Sequence, residues 1–272
     1  MTMRRGKVAG MIAVFVWAGV ASISEQRVSA QAGAGAAAPP QRVAVTTTQV
    51  KPDMVATWRE LIQKEAVPAF KKAGVPWRWV FSSGPLGGQA FTFTTVTPVA
   101  NFAQYDQPPP IQKVLGPDGA AKYNAKLLPT IVSSHTIIQT LIPQASLQGV
   151  SSSPPAFARV ATTQLLPGKG AEFTAITASE FLPAFKKAGV TDYLVFATTY
   201  GGPANERTMV TYLSKYADLD GPNPIARALG QEAAQKLNQK RAALTSGTEA
   251  IVLRYVPELS YGMPGKPAAP TQ

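Results

Sequence analysis

Pro68-Ala-Phe-Lys-Lys-Ala-Gly-Val75 recurs letter for letter as Pro183 to Val190. The match extends well beyond these residues. At an offset of 115, residues 45–81 align with 160–196 without a gap, with 17 identities in 37 positions. One residue is then lost. At an offset of 114, residues 87–146 align with 201–260, with 20 identities in 60. Gly87-Gly88 falls on Gly201-Gly202, Leu115-Gly116 on Leu229-Gly230, and Pro143 on Pro257. Colinear self-similarity of this length is the mark of a tandem duplication. Whatever fold the chain takes must therefore be made of two copies of one unit, joined by the Gly/Ser/Pro stretch at 148–155.

Each copy spells the same order of elements. Val43 to Val50 is a β-rich run, followed by Lys51-Pro52, where proline suits the first turn of a helix. Met54, Trp58, Leu61 and Ile62 recur at helical spacing, and Gly74 sits where a helix C-cap belongs. Trp77–Ser82 and Ala90–Val96 flank Gly-Pro-Leu-Gly-Gly and predict a hairpin. A short helix from Val99 to Tyr105, a Pro108–Pro110 loop, a helix from Asp118 to about Thr130 and a strand from Ser134 to Ile142 complete the copy. The sequence thus predicts β-α-β-β-α-β, the ferredoxin-like arrangement.

Such a unit has helices on one sheet face and leaves the other bare, and two copies can cover each other's bare faces. The unit resembles the dimeric α/β-barrel superfamily. The stretch Val50-Lys-Pro…Trp58-Arg-Glu-Leu…Glu65-Ala-Val-Pro-Ala-Phe-Lys-Lys-Ala-Gly74 is similar to the first helix of NIPSNAP-like members, as is Tyr216-Ala-Asp-Leu-Asp-Gly-Pro-Asn-Pro224 after the third strand of copy two. The resemblance implies an α+β fold in which two ferredoxin-like βαββαβ repeats pack sheet to sheet as an intramolecular dimeric α/β barrel. The expected repeats are residues 42–147 and 156–261. The superfamily includes heme enzymes, cofactor-free monooxygenases, isomerases and many proteins of unassigned function, so fold alone does not choose among them.

Outside the repeats, Arg4, Arg5 and Lys7 precede the apolar run Val8–Val20, and Val28-Ser29-Ala30 matches a small-x-small cleavage pattern. Residues 1–30 read as a signal peptide, 31–41 as a flexible linker and 262–272 as a disordered tail. The expectation is export to the periplasm or medium, with no stable membrane insertion once the signal is removed. The chain has no cysteine, which excludes a lipobox, a disulfide framework, thiolate metal sites and thiol catalysis. Its net charge of +11 becomes +8 without residues 1–30, which hold four basic residues and one acidic. The basic residues are scattered and lack the aromatic interleaving of RNA-binding motifs, so no nucleic-acid partner is expected.

Chemistry-bearing residues are few. The one histidine, His135, lies on an expected strand, with Glu249 as its counterpart in the other copy and no cluster at metal-ligand spacing. In the superfamily's heme enzymes the axial histidine lies on a helix, so neither metal nor heme is expected. Trp77 and Trp79 share one strand face in copy one. Copy two has Asp192 and Leu194 there, and on the last strand Thr140 and Leu141 become Arg254 and Tyr255. This divergence marks either core packing or a pocket in one half. Glu65 and Glu180 survive in both copies, placed by helical spacing on or beside the apolar stripe, where a carboxylate needs a partner. The expected partner is a backbone N–H, a hydroxyl, or a Lys or Arg at the helix edge; the alternative is a pocket carboxylate acting as ligand contact or base.

The ligand-binding candidates are therefore Glu65, Glu180, Trp77, Trp79, His135, Arg254 and Tyr255. The leading expectation is an exported protein that binds a small apolar or aromatic molecule. A cofactor-free monooxygenase or isomerase type of enzyme, and a structural or partner-binding module, are the alternatives. Further oligomerisation is left open.

Overall fold

The computed structural model describes residues 41–149 and 153–264. The expected signal peptide, all of the linker but Gln41, and the tail beyond residue 264 lie outside the described residues. Eight strands form a closed antiparallel barrel in the order β1-β3-β2-β8-β5-β7-β6-β4. They are β1 (Arg42–Val50), β2 (Trp79–Ser83), β3 (Thr92–Val99), β4 (Ile131–Leu141), β5 (Phe157–Leu165), β6 (Leu194–Tyr200), β7 (Glu206–Leu213) and β8 (Thr245–Tyr255). Within the ring, β4-β1-β3-β2 and β8-β5-β7-β6 follow one order. The ring closes edge to edge, through Phe81↔Tyr255 between β2 and β8 and Leu141↔Phe196 between β4 and β6.

The helices lie on the outer face. They are α1 (Val55–Leu61), α2 (Val67–Lys72), α3 (Pro110–Leu127), α4 (Gly170–Ile176), α5 (Leu182–Lys187), α6 (Pro224–Leu229) and α7 (Gln231–Ala242). One π-helical turn joins α1 to α2 at Ile62–Ala66, and another joins α4 to α5 at Thr177–Phe181. Each lies just ahead of the repeated proline, Pro68 or Pro183. Proline has no N–H to give the carbonyl four residues back, and its ring crowds that carbonyl. A widened turn relieves the crowding without breaking the helix: Val67 N–H reaches Ile62 O, and Leu182 N–H reaches Thr177 O. At the helix ends, Gly74 and Gly189 take φ +88° and +78°. The pairs Gly74 N–H to Lys71 O and Val75 N–H to Phe70 O, mirrored by Gly189 to Lys186 and Val190 to Phe185, close the last turn as glycine C-caps do.

Some element bounds differ from the sequence expectation. The region after β3 is a 3-10 turn at Phe102–Asp106. The second helix starts at Pro110 and runs to Leu127, bent at Gly116, whose φ of 70° is outside the helical range. Met263 packs against the barrel's aromatic cluster and the Gly262 carbonyl accepts from the Trp79 indole at 3.0 Å, so packed chain continues past residue 261.

Three apolar cores result. One joins Phe173, Phe181, Phe185, Leu237 and Ile225 beneath α4–α7, and takes in Ala145 and Leu147 from the end of the first half. A second joins Trp58, Ile62, Val80, Phe93 and Tyr123 beneath α1–α3, and takes in Val256 and Leu259 from the end of the second. The terminal segment after β4 or β8 thus seals the core of the opposite half. Main-chain bonds Val256 N–H to Val80 O and Ile142 N–H to Val195 O, both 2.8 Å, fasten the two seals. The third core fills part of the barrel interior.

Candidate functional site

The structure separates the sequence candidates. Trp77, Trp79 and Tyr255 come together inside the barrel with Phe81 and Tyr212. Trp79 stands edge-on to Trp77, Phe81, Tyr212 and Tyr255 at 5.8–6.2 Å between ring centres. Trp79 is 5 % exposed and Trp77 9 %, so this cluster is packed core. Arg254 points outward, with its guanidinium over the Phe157 ring. His135, on β4 opposite Thr47, is exposed and joined to the Gly201 carbonyl by Nε2 at 2.7 Å. A carbonyl can only accept, so Nε2 carries the proton. Among the described residues, no group of three or more His, Cys, Asp or Glu could hold a metal ion.

Glu65 and Glu180 sit on the two π turns, and each meets a lysine from the second helix of its half. The pairs are Lys126 to Glu65 at 2.5 Å and Lys240 to Glu180 at 2.8 Å. Lys126 and Lys240 are themselves repeat counterparts. Both carboxylates are partly exposed, and the partner is the lysine at the helix edge.

A large concavity lies elsewhere. A cavity of about 880 Å³ opens between the outer face of the β5–β8 sheet and α5–α7. Ala161, Thr163, Met209 and Thr211 form its floor, and Phe185, Val190, Tyr193 and Ile225 its wall. The chain from Asp218 to Pro224 frames its mouth, so the Tyr-Ala-Asp-Leu-Asp-Gly-Pro-Asn-Pro motif borders the cavity. Asn223 fixes that frame by accepting from Ile225 N–H at 2.9 Å as the N-cap of α6. Volume and lining suit a drug-sized molecule. Tyr212 contributes to both this wall and the aromatic cluster, linking the cavity to Trp79.

Polar groups converge on the same space. Arg159 on β5, Arg227 on α6 and Arg241 on α7 line it. Arg241 lies over the Phe181 ring at 4.3 Å. Tyr193 is 4 % exposed, its ring tilted against Phe185 at 4.4 Å between centres, and its hydroxyl makes no hydrogen bond of normal geometry. Burial pushes its pKa up, while the nearby charges of Arg241 and Arg159 act in the opposite direction. None of Arg159, Tyr193 and Arg241 was legible as a site residue, since they lie on three separate elements. One signal existed: at the repeat offset Tyr193 replaces Arg78 and Arg241 replaces Leu127.

In the first half the corresponding space is occupied. Arg78 is 4 % exposed and donates to Leu259 O at 2.6 Å and to Thr95 Oγ1 at 3.3 Å. Burial lowers its pKa to about 10, partly offset by the Tyr123 and Tyr261 phenols. Tyr123 takes the place that Leu237 has in the second half, and Tyr261 the place of Leu147.

No protein-family model matches the sequence, and no curated protein matches it. Solved structures do match its fold. A monooxygenase-like protein of Fusobacterium nucleatum superposes with a TM-score of 0.55 at 11 % identity, over 80 % of this chain and 94 % of the other. A monooxygenase-like protein of Lactobacillus acidophilus gives 0.51 at 8 % identity over 80 % and 94 %. A mutant chlorite dismutase of Candidatus Nitrospira defluvii gives 0.52 at 12 % identity over 80 % and 92 %. The chain has the dimeric α/β-barrel fold. At these identities the likeness speaks to fold alone.

Proposed function

We propose that this chain is a small-molecule-binding protein whose site is the cavity between the β5–β8 sheet and α5–α7. The observation that carries the reading is a space of about 880 Å³ in which apolar and aromatic side chains stand among about as many polar groups, framed by a capped loop. Of the seven residues read from the sequence, four enter as support: Trp77, Trp79 and Tyr255 back the cavity through Tyr212, and Glu180 braces α7 through Lys240. The barrel is read as a fused duplication, one ferredoxin-like repeat per half, supported by the shared strand order and the two π turns. The NIPSNAP likeness stays a resemblance of the first helix and of the motif at the cavity mouth. Export with cleavage after Ala30 belongs to the same reading, and N-terminal sequencing of native exported protein tests it.

The test uses a neutral aromatic probe, 2-naphthamide. Saturable one-to-one binding by calorimetry is expected, and Met209→Trp, which fills the floor, should abolish it; because Met209 is buried, the larger ring costs about 1–3 kcal/mol, and far-UV circular dichroism checks that the variant is folded at the assay temperature. No binding of any aromatic probe, with no small molecule retained on purification, would overturn the reading. The alternative of a cofactor-free oxygenase is separated by oxygen consumption with a quinol substrate: turnover sensitive to Met209→Trp would place catalysis in the cavity. A partner-binding module would give neither result.

A further inference from the structure

The cavity's lining mixes polar and apolar groups, and its charges do not balance. Three guanidinium groups line it, and among the described residues none forms an ion pair; Arg241 lies within hydrogen-bonding reach of the Tyr193 oxygen, while Arg159 and Arg227 have no hydrogen-bond partner. Two carboxylates share the wall, but both are engaged with the loops. Asp192 accepts from Gly149 N–H at 3.0 Å and from the Thr191 hydroxyl at 2.9 Å. Asp218 accepts from Ser214 N–H at 2.9 Å and Lys215 N–H at 3.1 Å. The remaining ion pairs are spent elsewhere, as in Lys240–Glu180. Arg159 rises from the sheet floor and Arg241 from the facing helix. Both act on the Tyr193 hydroxyl, a buried donor without an acceptor. A buried donor left unpaired costs free energy, and unpaired guanidinium groups favour planar oxyanions, which they hold by two parallel hydrogen bonds. The first half lacks this set: Leu127 stands where Arg241 does, and Ala44 on β1 where Arg159 does on β5.

We infer that the cavity takes an aromatic carboxylate, with the ring against Phe185, Met209 and Ile225 and the carboxylate held by Arg159, Arg241 and the Tyr193 hydroxyl. This rests on the reading of the cavity as a small-molecule site and adds the charge of its ligand. Arg227, exposed at the mouth, adds long-range attraction for the anion.

The experiment compares 2-naphthoate with 2-naphthamide, which has nearly the same shape and no charge, by calorimetry on the full chain. Wild-type protein should bind the naphthoate at least about tenfold more tightly. Arg159→Gln and Arg241→Gln should each lower naphthoate affinity more than naphthamide affinity and so remove most of that preference. Tyr193→Phe should cut naphthoate affinity by about three- to tenfold. Because Arg159 has no partner in the protein, Arg159→Gln should leave the melting temperature unchanged or raised. If Arg241→Gln does not fold, since it also loses its Phe181 contact, Arg159→Gln and Tyr193→Phe decide the matter. Equal affinity for both probes in wild-type protein would overturn the charge assignment and leave the cavity reading standing. A naphthoate preference that survives both Arg159→Gln and Tyr193→Phe would overturn it as well, because the anion would lie elsewhere. Failure of both probes to bind would remove the cavity reading together with the inference.

Discussion

Gly201 stands at the seam where the barrel closes between β4 and β6, and replacing it with alanine should measure what closure requires. Its φ is +81°, a conformation that costs an L-residue roughly 1–2 kcal/mol. A methyl group there would sit 2.4 Å from the Thr136 carbonyl oxygen and 3.1 Å from the Ile137 Cα. Both are backbone atoms of β4 and cannot turn aside. Relief must come from opening the seam, which Ile138↔Tyr200 and Gln139↔Thr198 already cross with a register shift. Overpacking of a close-packed site costs about 1–3 kcal/mol, so the sum is about 2–5 kcal/mol.

Two other glycines calibrate the measurement. Gly189 has φ +78° with nothing within 4 Å of an added methyl group, so Gly189→Ala carries only the backbone strain of roughly 1–2 kcal/mol. Gly87, the repeat counterpart of Gly201 at the β2–β8 seam, has φ +85°, and its methyl group would meet the Ile251 Cγ2 at 2.9 Å. That atom ends a side chain and can move. Urea unfolding followed by tryptophan fluorescence should therefore rank the losses Gly201→Ala, then Gly87→Ala, then Gly189→Ala. Equal losses at Gly201 and Gly189 would refute the claim that close approach across the seam fixes the residue.

Glu65→Gln and Glu180→Gln should each lower stability by no more than about 1 kcal/mol and by similar amounts, because both ion pairs are partly exposed; paired thermal melts check this, and a loss confined to one half would contradict the equivalence of the two braces. Burial pushes the Tyr123 phenol up to about 12, so its contribution is fully present below pH about 10, the unfolded value, and is lost as pH rises through 12. Tyr123→Phe should accordingly flatten the fall in urea midpoint between pH 9 and 11.5, and an unchanged slope would remove the assignment. Trp79→Ala should cost about 3–5 kcal/mol, the range for an aromatic core truncation, with a matching drop in urea midpoint; a loss under about 1 kcal/mol would mean the aromatic cluster is loosely packed.

The fold was legible because its signals are local and were printed twice. Pro68 and Pro183, Gly74 and Gly189, and Gly87 and Gly201 mark turns and helix ends by their own stereochemistry, and the β-rich runs lie where the strands are. The start of α3 at Pro110 was missed because three prolines read as loop, whereas proline at a first helical position costs nothing. The cavity was not legible. Arg159, Tyr193 and Arg241 are 34 and 48 residues apart in sequence, and only the folding of β5, the approach to β6 and α7 onto one space brings them together. Divergence between the copies was the right place to look, but the aromatic difference at Trp77 and Trp79 marks packing inside the barrel. The difference at Arg78 and Tyr193, on the outer face of the same strands, marks the cavity.

That difference also explains how a chain with two similar halves tolerates an opening of this size. In the first half, Arg78, Tyr123 and Tyr261 stand where the second half has Tyr193, Leu237 and Leu147. Trp58 stacks on Phe93 at 4.3 Å in that half, and Tyr261 donates its hydroxyl to Val75 O at 3.0 Å. The half so filled is not a separate domain. Its core includes Val256 and Leu259, 4 % and 0 % exposed, which belong to the second half's terminal segment. Ala145 and Leu147 repay the exchange beneath α4–α7. Opening a cavity in either half costs packing there, but the main chain flanking β8 is held from the other side by contacts that the cavity does not touch. In a symmetric pair of identical subunits, any change that opens one site opens both. Here the two halves are covalently one chain and free to diverge, so one can be packed for stability while the other keeps an open cavity, which the proposed function assigns to a ligand.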